Sequence, residues 1–540
     1  MNQSVGDLFQ RYGPGYRWIA AVSVTCGSVG IVLSSSIVNV AIPNVMGTFG
    51  VGQDQAQWVA TAYLAAQTVS QLITIWAIET LGIQVTYLLT LSVFILGSIL
   101  GASAPTMDAL TLARVLQGMA AGVVLPASMV LMALVFPPER KGLAMGIFSM
   151  GTVLAPAVGP VFGGIAIDNY SWRYIFVFPL PLATIALLLG FRFLPGRTEG
   201  GRGQRIDWFG ILSLALAILC ILTMLARGQR VGWGSGDTLI RLGIGILAAW
   251  VFVSSQIHSR SPLLDFSVLR NGQFSAACVV AFVFGAGLFS TSYFIPVFVQ
   301  TVMGYPATEA GFLLAPGGFL LIVLFPLAGR LADAMPAHYL IITGLLSLTL
   351  GFLMIAGTDV NTAFWAMVGM TLVSRFGLGL IFPPLNAAAL RALPPSQLAR
   401  ASGTISFFRQ LGGAFGVSTL VIAIEVRAEM HATALNATQT PDNLTSVELI
   451  TAVSRLLGEA GIPDALQRSG ALGFLGGMIR AQAASLAFQD AAYLICATFV
   501  LAIIPAFLLG RRRRALEIES APAGRSGNPP PDVSTGGKNP

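Results

Sequence analysis

The chain alternates long apolar runs with short polar segments. A helix needs about 20 apolar residues to cross a bilayer, and runs of this length predict about fourteen spans. They begin near Tyr16, Gln57, Gln84, Leu110, Gly142, Trp172, Phe209, Leu239, Phe274, Thr308, Tyr339, Ala363, Ser402 and Gln489. The pattern therefore predicts an all-α polytopic membrane protein.

The runs divide into two sets of six, with one extra pair between them. Glu79, which follows the second run, corresponds to Asp333 after the tenth, as expected for two related halves. The predicted units are an N-terminal six-helix bundle (1–195), extra helices 7 and 8 (206–260), a C-terminal six-helix bundle (270–510) with an extracytoplasmic insert (428–486), and a disordered cytoplasmic tail (511–540). Within the insert, apolar residues recur on one face from Ser446 to Glu459, which predicts an amphipathic helix.

Composition excludes a soluble globule. The chain is 55% hydrophobic and 10% charged, with a mean hydropathy of +0.77, whereas about a quarter of the residues in soluble domains are charged. The net charge of +7 comes mostly from arginines that fall between spans on one side, so it predicts that both termini are cytoplasmic rather than that the chain binds nucleic acid. No metal spacing, nucleotide-binding loop or nucleophile–base set is present, so we expect neither a cofactor nor an enzyme.

Two consecutive spans carry unusual residues. Arg114 stands near the start of an apolar run, where a buried guanidinium is costly and usually functional, although an arginine that extends outward to the interface is the alternative. In the next run, small residues recur every four positions and prolines flank them, which predicts close helix packing and a hinge. The hinge residues are Gly151, Ala155, Pro156, Gly159, Pro160, Gly163 and Gly164.

These residues resemble the motifs of a known family. The segment Arg114 to Gly122 resembles the fourth-helix motif of the major facilitator superfamily, and Ala155 to Gly164 resembles its fifth-helix antiporter motif. Residues Leu33 to Pro43 are similar to the first-helix signature of fourteen-helix drug:proton antiporters of the EmrB/QacA type. The resemblance implies two six-helix bundles with two extra central helices, and proton-driven export of amphiphilic small molecules from a bacterial inner membrane.

The resemblance also implies how protons are coupled, and here the chain departs from it. Members of that family usually carry an aspartate where this chain has Ser34, so the expected partner of Arg114 is missing. The predicted coupling residues are Arg114, Glu425, Glu79 and Asp333. Glu79 and Asp333 end their spans in loops that we expect to form charge-latched cytoplasmic gates, with ordinary solvated loop charge as the alternative.

Polar and cationic side chains within the spans are the candidates for the substrate cavity. They are Ser34, Asn39, Gln117, Tyr293, Gln300, Arg375 and Arg409. Asn39 could equally form a bond between helices. Prolines and glycines in spans 9 and 10 predict interrupted helices beside a cavity. Because the embedded charges are arginines, neutral or anionic substrates are expected.

We therefore predict a secondary transporter that exports amphiphiles by alternating access. The expected partners are the lipid bilayer, the substrate, protons and, in a Gram-negative cell, a periplasmic adaptor protein. The alternatives are a dedicated exporter of one metabolite, an uncoupled facilitator, and a membrane sensor or scaffold without transport.

Overall fold

The computed structural model describes residues 5–51, 56, 58–196, 207–259, 262–305, 307–359, 361–440 and 442–519, and no strand occurs among them. The helices are α1 (Val5–Tyr12), α2 (Tyr16–Phe49), α3 (Trp58–Leu81), α4 (Ile83–Ala102), α5 (Met107–Val135), α6 (Lys141–Asn169), α7 (Leu180–Phe193), α8 (Trp208–Val231), α9 (Gly236–His258), α10 (Gly272–Thr301), α11 (Ala307–Ala334), α12 (Ala337–Ala356), α13 (Phe364–Arg391), α14 (Leu398–Ala437), α15 (Leu444–Glu459) and α16 (Asp464–Glu519). The predicted all-α fold is confirmed.

Twelve segments of the described chain are long and apolar enough to cross a membrane. Helices α3 and α6 are not among them, although they occupy the positions of the second and fifth predicted spans and are 24 and 29 residues long. The count of fourteen spans therefore stays a prediction.

The helices form two bundles and a peripheral pair. In the first half, α2 packs on α6 and α7, while α5 lies between α3 and α4. In the second half, α10 packs on α14, α13 lies between α11 and α12, and α16 contacts α12, α10 and α14. The pair α8 and α9 lies beside both halves, and α8 packs against α3 of the first half and α14 of the second.

The two halves meet mainly through α6 and α11, with further contacts between α3 and α14, α5 and α14, and α6 and α13. Glycines make the closest approach possible. A Cβ on Gly142 or Gly329 would overlap the carbonyl oxygen of the other glycine, and one on Gly146 would lie 2.6 Å from the Phe325 carbonyl oxygen. The backbones of α6 and α11 therefore touch near the start of α6.

The insert predicted at 428–486 has other boundaries in the structure. Helix α14 runs for 40 residues to Ala437, and α16 begins at Asp464, well before the predicted start of the last span near Gln489. The insert is thus largely made of extensions of the two flanking helices. The predicted amphipathic helix is α15, which packs against α16.

Two other expectations differ from the structure. Helix α16 continues to Glu519, past residue 511 where the tail was expected to begin, and residues 520–540 lie outside the described part. Helices α10 and α11 are not interrupted, although α10 contains Pro296 and α11 contains Pro316 and Pro326. Membrane helices tolerate proline because neighbouring groups and local adjustment satisfy the freed backbone.

Candidate functional site

Arg114 is buried at the centre of the first half, with 1% of its surface exposed. Its Nε donates to the carbonyl oxygen of Val59 at 2.9 Å, and Nη1 donates to Gln117 Oε1 at 2.8 Å. The same Nη1 lies 3.5 Å from the Ser34 carbonyl oxygen and 3.4 Å from the Ser34 hydroxyl. The guanidinium carbon stands 4.2 Å from the centre of the Tyr63 ring, an arrangement that favours a cation.

The sequence builds this cluster by bringing three helices close together. On α5, a Cβ at Gly118 would overlap the Tyr63 carbonyl oxygen, and one at Gly122 would overlap the Ser70 hydroxyl. Glycines at these two positions let α3 approach α5 until the Val59 carbonyl is within reach of Arg114. Arg114 therefore joins α2, α3 and α5 through one side chain.

The acceptors around Arg114 are neutral. Among the described residues, no carboxylate forms an ion pair with it. Arg114 does not extend to the interface, so that alternative is wrong. Gln117 completes the arrangement by donating from Nε2 to Ser98 Oγ at 2.8 Å. Within the part of the first half that the structure describes, the buried Arg114 is thus held by neutral acceptors.

The second half carries two further embedded arginines. Arg375 on α13 is half-buried, and a Cβ at Gly317 of α11 would lie only 2.6 Å from its Cγ. The guanidinium carbon of Arg409 on α14 lies 5.0 Å from the centre of the Phe382 ring. Arg375 Nε and Arg409 Nη1 are buried without an acceptor among the described residues. These atoms remain available to a ligand with acceptor oxygens.

The remaining cavity candidates are less closely joined. Tyr293 is 37% exposed on α10, and Gln300 donates to the Pro296 carbonyl on its own helix at 3.1 Å. The side chain of Asn39 lies outside the described residues. The structure thus brings Ser34, Arg114 and Gln117 into one cluster, and among the described contacts none connects that cluster to Tyr293 or Gln300.

Glu79 at the end of α3 pairs with a cation of the other half. Arg400 on α14 places Nε 3.2 Å from Glu79 Oε1, and its Nη1 pairs with Asp265 in the segment between α9 and α10. We call Glu79, Arg400 and Asp265 the three-residue latch. It connects α3, α14 and the segment that follows the extra helices.

Asp265 remains charged in this latch. Burial alone would raise the pKa of its carboxyl, but hydrogen bonds from Ser267 and the charge of Arg400 outweigh burial and lower the pKa below its ordinary value. Because the pKa is lowered in the folded protein, the stabilising charge is present at neutral pH and is lost only as the pH falls through the depressed pKa.

Asp333 occupies the corresponding place at the end of α11. It accepts hydrogen bonds from the backbone nitrogens of Gly142 (2.7 Å) and Leu143 (2.9 Å), at the start of α6. A helix N-terminus favours a negative charge. Arg391 of α13 pairs with the same carboxylate and donates to the Ala332 carbonyl at 3.0 Å. Each acid thus reaches a helix start in the opposite half.

Sequence reasoning predicted that these two acids need cationic partners but did not identify Arg391, Arg400 or Asp265. The signal was weak because the partners lie far apart in the sequence. Arg391 is 58 residues from Asp333, and Arg400 is 321 residues from Glu79 and 135 from Asp265. Glu425 is exposed on α14. Nearby on the same helix, His431 and Arg427 pair with Asp490 of α16, at 2.9 and 3.6 Å, an arrangement that the sequence did not predict.

The small-residue stripe of α6 faces α2 within the first half. A Cβ at Gly151 would lie 2.5 Å from Thr25 Cγ2, and one at Gly159 would overlap the Ser36 hydroxyl. Gly163 is buried, whereas nothing is described for the side chains of Ala155, Pro156 and Pro160 or for the surroundings of Gly164. Close packing is observed, and the hinge role of all seven positions stays a prediction.

We expect Gly159→Leu to reduce transport at least about tenfold, because overpacking displaces α6 from α2 at a cost of about 1–3 kcal/mol. Insertion should persist, since leucine does not lower the hydropathy of the span. Transport normalised to the amount of inserted protein measures the effect, with Gly243→Leu as the control because nothing lies within 4 Å of a Cβ at Gly243. Equal transport by the two variants would show that the stripe does not limit the cycle.

Comparison with known proteins agrees with this architecture. The model of the Major Facilitator Superfamily matches residues 24–417. The chain is 30% identical over 447 residues to the multidrug export protein EmrB of Haemophilus influenzae, covering 81% of this chain and 87% of that one. It is 29% identical over 427 residues to EmrB of Escherichia coli K12, covering 79% and 83%.

A solved structure shares the fold. The human organic anion transporter MFSD10 superposes with a TM-score of 0.58 at 15% sequence identity, covering 91% of this chain and 99% of that one. The family match extends over most of the chain, which also has the two helix bundles and the buried Arg114 described above. The chain is therefore a multi-pass membrane transporter that belongs to the major facilitator superfamily.

Proposed function

We propose that the protein exports amphiphilic small molecules across the bacterial inner membrane by alternating access. The observation that carries this proposal is the set of contacts between the halves at one face, where glycine backbones touch and charged side chains bind from one half to the other. The named activity of the EmrB relatives, multidrug export, supports the substrate class and the direction.

The face that is closed here is the one that the arginine distribution assigns to the cytoplasm. Both acids that end α3 and α11 bind across to the other half at this face. In an alternating-access cycle, closure of this face belongs to the state whose substrate path would open on the outer side, which is the releasing side of an exporter. On that side, α14, α15 and α16 form an extension that could receive the periplasmic adaptor of a Gram-negative cell.

Coupling to protons requires a carboxylate, and none of the described residues places one in contact with Arg114. We place the proton on Glu79 in preference to Glu425, because the partner of Glu79 is Arg400 of the opposite half, 3.2 Å away. A proton on Glu79 would cancel its charge and weaken its bond to Arg400, which would stay paired with Asp265, so protonation would be linked to separation of α3 from α14. Ser34, in place of an acid beside Arg114, favours the second candidate, an uncoupled facilitator.

The embedded charges predict which substrates are preferred. Arg114, Arg375 and Arg409 are cations within the spans, and the last two each keep a buried nitrogen without an acceptor among the described residues. A cationic ligand would meet like charge, whereas an anion or a neutral molecule with acceptor oxygens could bind these donors.

We therefore expect neutral and anionic amphiphiles to compete with transport at least about tenfold more effectively than quaternary cations of similar size, a difference of about 1.4 kcal/mol. Competition in proteoliposomes with matched neutral, anionic and cationic compounds measures this preference. If only quaternary cations compete, the preference for neutral and anionic substrates is wrong. If no compound in the panel moves or competes, the chain is not an exporter of amphiphiles.

A further inference from the structure

A cavity of about 320 Å³ lies between the extra helices and the two halves. Leu214 and Ile218 of α8 and Phe252 of α9 form one side, and Phe407 and Phe408 of α14 form the other. Its volume exceeds that of an engineered apolar cavity of about 150 Å³ that stays dry and binds benzene. The cavity is therefore large enough to hold an apolar group.

The wall of this cavity is almost entirely apolar. Of the residues that the structure describes around it, Thr68 alone has a polar side chain, and its hydroxyl already donates to the Leu64 carbonyl at 2.8 Å. A charged or hydrogen-bonding group placed here would lose water without gaining a partner. The occupant must therefore be aliphatic or aromatic over the part that enters.

The position of the cavity within the membrane indicates which apolar molecules can reach it. The wall on α8 extends from Leu214 to Ile221, within the candidate span Trp208–Leu225. Seven residues of helix rise about 10 Å, which is less than the thickness of one leaflet, about 15 Å. Val253 lines the cavity and is 41% exposed, so the cavity opens sideways to the lipid phase.

We propose that this cavity binds one acyl chain of a membrane phospholipid. The site does not depend on the direction or the substrate of transport. Its wall includes Leu264 and Phe266, which flank Asp265 of the three-residue latch. The bound chain thus supports the segment that holds Arg400 next to Glu79, and it gives the extra helix pair a role as the outer wall of a lipid site.

The test uses the full-length protein in nanodiscs of phosphatidylethanolamine and phosphatidylglycerol that contain a phosphatidylglycerol with a diazirine in its acyl chain. After illumination, mass spectrometry locates the labelled peptides. We expect label on the segments around Ile218, Phe252 and Phe408. Ala217→Trp, which fills the cavity from α8, should lower this label about tenfold, a loss of about 1.4 kcal/mol of binding free energy.

The matched control is Leu216→Trp. Leu216 is next in the sequence, is 46% exposed and does not line the cavity, so this variant should keep the label of the wild type. Phe408→Ala widens the cavity and should keep or increase the label. A loss of label in Ala217→Trp but not in Phe408→Ala would then result from filling of the cavity and not from misfolding of its wall. The size-exclusion profile of every variant is compared with that of the wild type.

The proposal is overturned if the cavity segments of the wild type carry no more label than the exposed face of α7 around Leu188, or if both tryptophan variants lose label equally. A final arm adds a short amphiphile that the protein transports. If it displaces the label from the cavity segments, the cavity belongs to the substrate and the assignment to a membrane lipid is wrong.

Discussion

Arg114→Ala is expected to lower transport at least about 100-fold, equivalent to about 2.7 kcal/mol. The change removes the donor that joins Val59, Gln117 and Ser34, so each of their buried oxygens loses a hydrogen bond. Each unsatisfied buried acceptor costs about 1–3 kcal/mol. The variant also removes a cation that, in the function proposed above, would attract an anionic substrate.

Arg114→Lys separates the two roles, since an ammonium keeps the charge but cannot form the planar set of bonds that a guanidinium forms. We expect it to retain part of the activity, about a tenfold loss. Initial transport rates in proteoliposomes, normalised to inserted protein, are the measurement. Arg455→Ala is the control because the side chain of Arg455 is 76% exposed. Wild-type rates in Arg114→Ala would show that the buried cluster has no part in transport.

Gly329→Leu is expected to abolish transport by preventing closure of the face where α6 meets α11, again with a loss of at least about 100-fold. A Cβ at this position would overlap the backbone oxygen of Gly142, and a backbone atom cannot rotate away as a flexible side chain can. The two halves must therefore separate at this point, which also draws Asp333 away from the start of α6.

Hydrogen–deuterium exchange measures independently whether α6 and α11 separate in this variant. The Leu143 amide, which donates to Asp333 at 2.9 Å, should exchange faster in Gly329→Leu than in the wild type. Gly369→Leu on α13 is the matched control, because nothing lies within 4 Å of a Cβ there. If the Leu143 amide stays protected and transport persists, the contact of α6 with α11 does not form the gate.

Hydropathy predicted where the spans lie because each span must supply about 20 apolar residues. The predicted starts at Tyr16, Leu110 and Phe274 lie within three residues of the starts of α2, α5 and α10. The extensions of α14 and α16 were missed for the same reason. The added parts are less apolar than the spans, so the hydropathy pattern placed the limit of each span inside a helix that is in fact longer.

The candidate site was only partly predictable. The cost of burying a guanidinium identified Arg114, whereas Gln117 was predicted only as a cavity residue, although its (i, i+3) spacing is compatible with the contact to Arg114 that the structure shows. The Val59 carbonyl could not be predicted, because a backbone acceptor has no sequence signal. Likewise, the charge of Glu79 indicated that it needs a cation, but only the packing of α3 against α14 selects Arg400.

Transport in proteoliposomes with and without an imposed pH gradient tests the central claim, proton-driven export, most directly. The wild type is expected to move a neutral or anionic amphiphile faster when the gradient is present, and Glu425→Gln should keep this response. Glu79→Gln should lose it, because its side chain cannot release a proton. If the wild type ignores the gradient while Ser34→Asp acquires a response to it, the protein is an uncoupled facilitator, and the coupling through Glu79 proposed above is wrong.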